Sequence, residues 1–185
     1  MRDEETGEWI PKREAELLNH YNINLEYQSV NPIETLEDAK ASKSAWMLDV
    51  GCGDGRAAVW PHKNYLGIDY SITRCRAARK RFKDATFLCA SLQESLPKLA
   101  TNSFDLVYCA ETLEHLEDPL ATWAQLLRIC SGQIVATVPV NNSYKTHLTL
   151  FPTLGSLNAY EPTTKKKKRT HYLFTRTKCN RIQTG

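Results

Sequence analysis

An apolar run that ends in a glycine-rich turn is the feature that most constrains this chain. Residues 45–50 read Ala-Trp-Met-Leu-Asp-Val, and Gly51-Cys-Gly-Asp-Gly55 follows at once. Because glycine adopts positive φ and carries no side chain, this stretch predicts a buried strand that turns sharply and leaves bare backbone. Ligands of open α/β sheets bind at the carboxyl ends of the strands, so the turn is the first candidate for a binding site.

Further apolar runs alternate with helical patterns along the chain. Strands are predicted at residues 65–69, 85–89, 104–109 and 133–138, and helices at residues 72–82 and 120–129. Alternating strands and helices form βαβ units, and strands buried on both faces carry continuous apolar runs. The sequence therefore predicts an α/β fold with a doubly wound, Rossmann-like and mostly parallel sheet.

The sequence predicts three consecutive segments: one before the strand–helix alternation, one that contains it, and one after it. Residues 1–44 form an N-terminal helical cap or lid, with helices at 12–21 and 33–41 and with Trp9 and Tyr21 as lid aromatics or simple anchors. Residues 45–140 form the Rossmann-like core. Residues 141–185 form a C-terminal, substrate-side segment whose basic run, Lys165–Arg169, is expected to be a solvated loop. Only one further strand, at 171–175, is evident, so the C-terminal strands are predicted to be shortened or missing.

Composition limits the class of protein. The chain has 185 residues, of which 42% are apolar and 24% charged, as is ordinary for one globular domain. No apolar run reaches the roughly 18 residues of a membrane span, so none is predicted. The acidic, polar N-terminus differs from a signal peptide, and the six cysteines form no Cys-x-x-Cys pair. A cytoplasmic protein with reduced cysteines is expected.

Asp69 ends the second predicted strand and adds chemistry to the glycine turn. A carboxylate there can accept hydrogen bonds from both hydroxyls of a ribose. Enzymes that bind NAD use the same arrangement, but their glycines follow the pattern G-x-G-x-x-G. Here the spacing is G-x-G-x-G with Arg56 after it. The residues alone thus predict a nucleotide-type ligand, with an NAD-binding oxidoreductase disfavoured.

Four motifs in order resemble one family. Leu48–Arg56 with Gly67-Ile-Asp69 is similar to the first two motifs of class I S-adenosylmethionine-dependent methyltransferases. Phe104-Asp-Leu-Val and the stretch Glu111–Pro119 resemble the later motifs of the ubiquinone and menaquinone biosynthesis O-methyltransferases, and Val138-Pro139 also fits. The likeness covers roughly residues 45–140. It is specific for fold and cofactor and poorly specific for the acceptor.

The resemblance implies S-adenosyl-L-methionine as the cofactor. It places the methionine portion at the glycine turn, the ribose at Asp69, the adenine near Ser91, and the sulfonium near Glu111. The full set of cofactor contacts that it implies is Asp49, Gly51, Cys52, Gly53, Asp69, Tyr70, Ser91, Leu92, Cys109 and Glu111.

His115 is the candidate catalytic residue. Methyl transfer to a hydroxyl benefits from a base, and histidine titrates in the useful range. Packing or capping of the next helix is the alternative role for His115. Glu111, Glu114 and His115 also have the spacing E-x-x-E-H, which occurs in an RNA 2′-O-methyltransferase family that uses a metal; metal-free relatives share it, and no metal is predicted. His147 is either a substrate contact or a surface histidine.

The resemblance predicts a methyltransferase that acts on an oxygen of a small-molecule acceptor. The alternatives are an RNA 2′-O-methyltransferase and a non-catalytic cofactor-binding module. Residues 141–185 carry nine Lys and Arg against the single acid Glu161, so a nucleic-acid partner stays possible but is not favoured. The chain is expected to be a monomer or a homodimer.

Overall fold

A seven-stranded sheet organises the computed structural model, which describes residues 30–141 and 145–178. The strand order is β3-β2-β1-β4-β5-β7-β6; strands β1 to β5 are parallel, and β7 is antiparallel to both β5 and β6. The strands are β1 Ala45–Val50, β2 His62–Asp69, β3 Thr86–Cys89, β4 Phe104–Ala110, β5 Cys130–Pro139, β6 Thr164–Lys167 and β7 His171–Thr177. The predicted α/β, mostly parallel fold is confirmed.

In the described part of the chain, four α-helices begin at residues that can cap them. They are α1 Pro32–Asp38, α2 Ile72–Arg81, α3 Leu92–Ser95 and α4 Pro119–Ile129. The side chains of the preceding residues, Asn31, Ser71, Ser91 and Asp118, each accept a backbone N–H of the first turn. Short 3-10 turns lie at Arg56–Val59, Leu96–Lys98, Leu113–His115 and Leu154–Tyr160. The predicted helix at 12–21 and the aromatics Trp9 and Tyr21 lie outside the described residues.

Both faces of the sheet are buried, as the apolar strands predict. On one face, α4 contributes Trp123 and Leu126 to a core that includes Val107 of β4. On the other face, Leu36 of α1 and Ala78 of α2 pack with Met47 and Leu173. Because helices cover the two faces, the polar backbone at the carboxyl ends of β1, β2 and β4 is the part of the parallel sheet left for a ligand.

The connection between β1 and β2 is unusually short. Parallel strands are normally joined by a dozen or more residues, usually including an α-helix. Here residues 51–61 suffice, and their regular structure is a 3-10 turn. Trp60 fills the space beneath this turn: its side chain is buried, and the indole N–H donates to the Ser42 carbonyl oxygen at 3.1 Å. Trp60 and α1 thus cover the sheet face where a crossover helix would lie.

The expectation that C-terminal strands could be missing was wrong, because both β6 and β7 are present, although β6 has only four residues. The sixth strand, β6, overlaps the first three residues of the basic run, which had been expected to be a solvated loop. It pairs with β7, from Thr164 opposite Thr175 to Lys167 opposite Tyr172. Because β6 is the edge strand and mostly exposed, its lysines show no apolar alternation and gave no strand pattern.

The first and third predicted segments both pack against the core of the second. Helix α1 of the predicted cap packs into the core through Leu36, and β7 of the predicted C-terminal segment packs through Phe174. The division at residues 44 and 140 itself stays a prediction. Among the described residues, no helix is both long and apolar enough to cross a membrane.

Candidate functional site

Three glycines form a bare backbone corner after β1. Gly51, Gly53 and Gly55 have φ values of +72°, +54° and +80°, a region that other residues rarely adopt. A Cβ on Gly51 would stand 2.2 Å from the Thr112 Oγ1, and one on Gly53 would stand 2.9 Å from an Arg74 Nη1. The corner therefore needs glycine for conformation at all three positions and for space at Gly51.

The Asp69 carboxylate lies directly against this corner. One oxygen, Oδ2, accepts the Gly53 N–H at 2.9 Å, and the other, Oδ1, accepts the Ser71 N–H at 2.9 Å. Burial raises the pKa of Asp69, whereas the two backbone donors and the nearby Arg74 guanidinium oppose the rise. Each carboxylate oxygen keeps lone-pair capacity, so the group can accept two further hydroxyl donors side by side. The structure thus brings together the two features that the sequence singled out.

Asp49 lies beneath the corner rather than at its surface. Its carboxylate is 3% exposed and accepts a hydrogen bond from the Tyr65 hydroxyl. Burial raises the pKa of Asp49 to about 7, and the Tyr65 hydroxyl opposes the rise. This geometry gives Asp49 a supporting place under the glycine corner, a position that its sequence motif did not distinguish from direct ligand contact.

Of the three residues predicted to lie near the adenine, one is exposed and the other two cap a helix or pack in the core. The Tyr70 side chain is 43% exposed, immediately after Asp69. Ser91 caps α3 and accepts the Glu94 N–H at 3.2 Å, while Leu92 is buried. An exposed aromatic ring can cover one face of a flat base.

Two predicted contacts, Cys52 and Cys109, are buried thiols. The Cys109 side chain has no exposed surface and belongs to the core, and burial raises its pKa. Cys52 lies inside the glycine corner, where its Sγ would stand 2.8 Å from a Cβ on Gly67. Both side chains thus shape the site from within.

Glu111 follows β4 in a strained backbone conformation. Its φ is +49°, which is unusual for a residue other than glycine. The side chain accepts a hydrogen bond from the Thr137 hydroxyl at 3.0 Å, and burial raises its pKa to about 7. Glu111 thus combines a strained backbone with a largely buried carboxyl group directly after β4.

His115 is held in one orientation by the loop that contains His147. Its Nδ1 lies 3.0 Å from the Thr146 carbonyl oxygen, which can only accept, so Nδ1 donates a proton to this hydrogen bond. The His147 ring contacts the His115 ring edge-on at a centroid distance of 4.8 Å. Sequence alone did not join these two histidines.

A buried carboxyl group completes this cluster. The Glu114 side chain is 1% exposed, and its Oε1 lies 3.9 Å from the His115 Nε2. Its Oε2 is buried without a hydrogen-bond partner among the described residues. Burial and the neighbouring Glu111 raise the pKa of Glu114. One ligand atom from each of Glu114, His115 and His147 lies within 4.8 Å of the others, an arrangement that could hold a metal ion.

A second depression lies at the other end of the sheet. It has a volume of about 500 Å³ and is lined by Ser44, Trp46, Lys63, Ser103 and Asp105. These residues lie at or beside the amino ends of β1, β2 and β4, far along the strands from the glycine corner. Ligands of parallel sheets bind at the carboxyl ends, so this depression is not the candidate site.

Arg74 and Thr112 are neighbours of the glycine corner that the sequence did not single out. Arg74 is one of several basic residues in α2, and nothing in the spacing marks it as the one beside Asp69. Thr112 donates its hydroxyl to the Val50 carbonyl oxygen at 3.1 Å, across the β1–β4 boundary. Both residues reach the glycine corner from elements that are distant along the chain, so no local sequence pattern marks them.

Comparisons with known proteins agree with this geometry. Residues 48–133 match the family described as a methyltransferase domain. The ubiquinone biosynthesis O-methyltransferase of Methylococcus capsulatus is 31% identical over 147 residues, which are 76% of this chain and 59% of that protein. Trans-aconitate 2-methyltransferase of Afipia carboxidovorans is 30% identical over 108 residues, which are 55% of this chain and 41% of that protein. The chain thus spans about half the length of these relatives.

A solved structure shares the fold at lower identity. The TehB-like SAM-dependent methyltransferase of Corynebacterium glutamicum superimposes with a TM-score of 0.63 at 19% identity, covering 90% of this chain and 98% of that one. At this identity the likeness supports the fold alone.

Proposed function

We propose that this chain, which belongs to the class I S-adenosylmethionine-dependent methyltransferases, transfers a methyl group to an oxygen of a small-molecule acceptor. The observation that carries the proposal is the position of the Asp69 carboxylate. Its Oδ2 accepts a hydrogen bond from the Gly53 backbone N–H at 2.9 Å, within the glycine corner. The proposed substrate class comes from the names of two relatives, a ubiquinone biosynthesis O-methyltransferase and a trans-aconitate 2-methyltransferase.

The residues at the carboxyl ends of β1 and β2 fit S-adenosyl-L-methionine. Asp69 would hold the ribose, the Gly51–Gly53 backbone would receive the methionine portion, and Tyr70 would cover the adenine. When bound, this cofactor supplies a methyl group already activated by a sulfonium. The chain's remaining task is to align the acceptor oxygen with that group, which alone contributes several kcal/mol of the barrier reduction.

His115 is the proposed proton acceptor. Its Nδ1–H is engaged by the Thr146 carbonyl oxygen, so Nε2 is the ring nitrogen that would take a proton from an acceptor hydroxyl. The partly exposed ring, with 17% of its side chain accessible, allows an acceptor to approach. The Glu114 carboxyl lies 3.9 Å from Nε2 and is the nearest acidic group to that nitrogen among the contacts of the described residues.

Calorimetry and an acceptor panel test this proposal. S-adenosylhomocysteine is expected to bind the purified chain, NAD is expected not to bind, and labelled methyl groups should reach catechol or carboxylate acceptors. His115→Gln should lower turnover and leave S-adenosylhomocysteine affinity unchanged. Tighter binding of NAD would refute the family-based cofactor, and cofactor binding without turnover on any acceptor would favour a non-catalytic module.

A second candidate, divalent-cation-assisted methylation of an RNA 2′-hydroxyl, is favoured by one specific observation. Glu114, His115 and His147 form a potential metal site, and one buried carboxylate oxygen there has no hydrogen-bond partner among residues 30–141 and 145–178. Carboxylate and imidazole ligands together suit cations such as Zn²⁺ and Mn²⁺. A bound cation would polarise an acceptor hydroxyl in place of a base.

Metal titration separates the two candidates. Under the second one, Mn²⁺ or Zn²⁺ should bind the wild type, His147→Gln should weaken that binding, and His62→Gln should not, because His62 packs near Tyr65 in the β2 region. A chelator should then abolish methylation of RNA. Turnover on a small acceptor that survives chelation, with no RNA methylation, would leave the first candidate.

A further inference from the structure

Three cysteines from separate elements surround the end of β2. Cys52 lies in the glycine corner, Cys75 in the first turns of α2, and Cys89 at the end of β3. The Cys75 Sγ lies 3.7 Å from the carbonyl oxygen of Leu88, the residue that precedes Cys89 in β3. The Cys75 Sγ also lies 3.4 Å from the Asp69 carbonyl oxygen, and the Cys89 Sγ lies 3.5 Å from that of Tyr70.

The three thiols differ in access and reactivity. Cys89 is partly exposed, whereas Cys52 is 7% exposed and Cys75 has no exposed surface. The hydrogen bond from Cys52 lowers the pKa of Cys75, although burial opposes this effect. A thiolate is the nucleophile in thiol chemistry. Cys89 is therefore the entry point for an oxidant, and Cys75, whose Sγ contacts the carbonyl oxygen of the residue before Cys89, is the neighbouring thiol that would meet the oxidised sulfur.

We propose that Cys75 and Cys89 form an oxidation-sensitive pair whose disulfide weakens cofactor binding at Asp69 and Tyr70. A peroxide supplies the oxidant. The Cys89 thiolate attacks the peroxide oxygen and becomes a sulfenic acid, with hydroxide as the leaving group. The Cys75 thiolate then attacks the Cys89 sulfur, the S–S bond forms, and the sulfenic oxygen leaves as water after protonation. Two thiols lose two electrons and two protons, and the peroxide is reduced to two waters.

The disulfide acts on the cofactor site because both sulfurs contact its backbone. Asp69 and Cys89 are direct partners in the parallel β2–β3 register. When the two sulfurs bond to each other, both lose their protons, so neither can donate to the Asp69 or Tyr70 carbonyl oxygen. The segment that carries the ribose-binding carboxylate and the exposed ring then loses two of its supports.

Mass spectrometry tests the cross-link without reference to the cofactor. The full chain, reduced and then treated with hydrogen peroxide, should lose two hydrogens in intact mass, and a peptic digest should join the peptides that contain residues 75 and 89. Cys89→Ser should abolish the cross-link, and Cys89→Ala serves if the serine variant fails to fold. Cys130→Ser is the matched control, since Cys130 is also buried but lies at the start of β5. Absence of a disulfide, or one that joins other cysteines, would overturn the pairing.

Calorimetry tests the consequence, which rests on the proposed function. Oxidation should weaken S-adenosylhomocysteine binding by about tenfold, within the range of ordinary coupling between sites, and dithiothreitol should restore it. Oxidised Cys89→Ser should bind as the reduced protein does. Unchanged affinity in a fully cross-linked sample would overturn the regulatory effect. If the reduced protein does not bind S-adenosylhomocysteine, the cofactor assignment is contradicted. The disulfide is then tested by the mass-spectrometry experiment alone.

Discussion

At the scale of single residues, the site depends on acids whose surroundings differ sharply. Asp69 receives two backbone N–H donors and lies close to Arg74. Asp49, at the end of the neighbouring strand, is buried and accepts from a tyrosine hydroxyl. The two carboxylates have similar sequence contexts, each following an apolar run. Their different roles come from the groups that the fold places around them.

Replacement of Asp69 tests the ribose contact. Asp69→Ala should weaken S-adenosylhomocysteine binding by about 1–3 kcal/mol, the scale of lost charged hydrogen bonds. The matched control is Asp84→Asn, an exposed acid in the turn before β3. Calorimetry measures both dissociation constants, and an unchanged value for Asp69→Ala would contradict the assignment of the ribose to this carboxylate.

Replacement of Asp49 tests its altered acidity. Burial raises the pKa of this carboxyl group to about 7 in the folded chain, from its usual 3.8. The proton is held more tightly in the folded state, so the group's contribution to stability is complete below about pH 4 and is lost as the pH rises through about 7. The Asp49→Asn side chain does not ionise, so its contribution to stability does not fall as the pH rises, and its amide oxygen can still accept the hydrogen bond from the Tyr65 hydroxyl. Relative to the wild type, its free energy of unfolding should rise by about 2–3 kcal/mol between pH 5 and pH 8.

Urea titrations of both proteins at the two pH values measure this difference. Glu111 and Glu114 also have raised pKa values, but they are present in both proteins and cancel in the comparison. Stability curves that run parallel across this pH range would show that the acidity of Asp49 is not altered by folding.

At the scale of elements, capping residues and turns define where the helices begin. Helix α4 starts at Pro119, and its N-cap Asp118 accepts the Ala121 N–H at 2.8 Å. Proline suits the first helical turn, where its missing N–H costs nothing. This element follows the 3-10 turn that carries Glu114 and His115, so its start fixes the chain direction after the candidate site.

Removal of this cap tests its contribution. Asp118→Ala should lower the free energy of unfolding by about 0.5–2 kcal/mol, because one N-terminal donor of α4 loses its partner. Asp118→Asn should be nearly neutral, since asparagine caps helices as well as aspartate does. Chemical denaturation compares the three proteins. Equal losses for alanine and asparagine would point to the charge rather than to the hydrogen bond.

At the scale of the whole molecule, one sheet joins the predicted segments. Phe174 of β7 is fully buried and contacts the rings of Trp123 and Tyr160 at centroid distances of 5.4 and 5.6 Å. Lys168, at the end of the β6–β7 hairpin, forms an ion pair with Asp38 of α1. The hairpin is thus bound to the core on one face and to the predicted cap at its edge.

Truncation of Phe174 tests whether the hairpin and the core unfold together. Phe174→Ala should lower the free energy of unfolding by about 3–5 kcal/mol, the usual effect of a cavity of this size. Tryptophan fluorescence and circular dichroism should still give one coincident transition, because a single core is affected. Two separate transitions in the wild type would instead support independent segments at the predicted boundary near residue 140.

The sequence by itself determined the fold class, the glycine corner and the family, because these depend on local patterns: apolar runs that alternate with helices, and glycines at fixed spacing after the first strand. It also located Asp69 correctly at a strand end, since parallel strands bring their carboxyl ends to one edge. The tertiary structure alone decided the burial of Asp49, the meeting of His115 with His147, and the three converging thiols. It also decided that the lysine-rich and mostly exposed residues 164–167 form an edge strand. These features arise from contacts between elements distant along the chain, for which no local pattern exists.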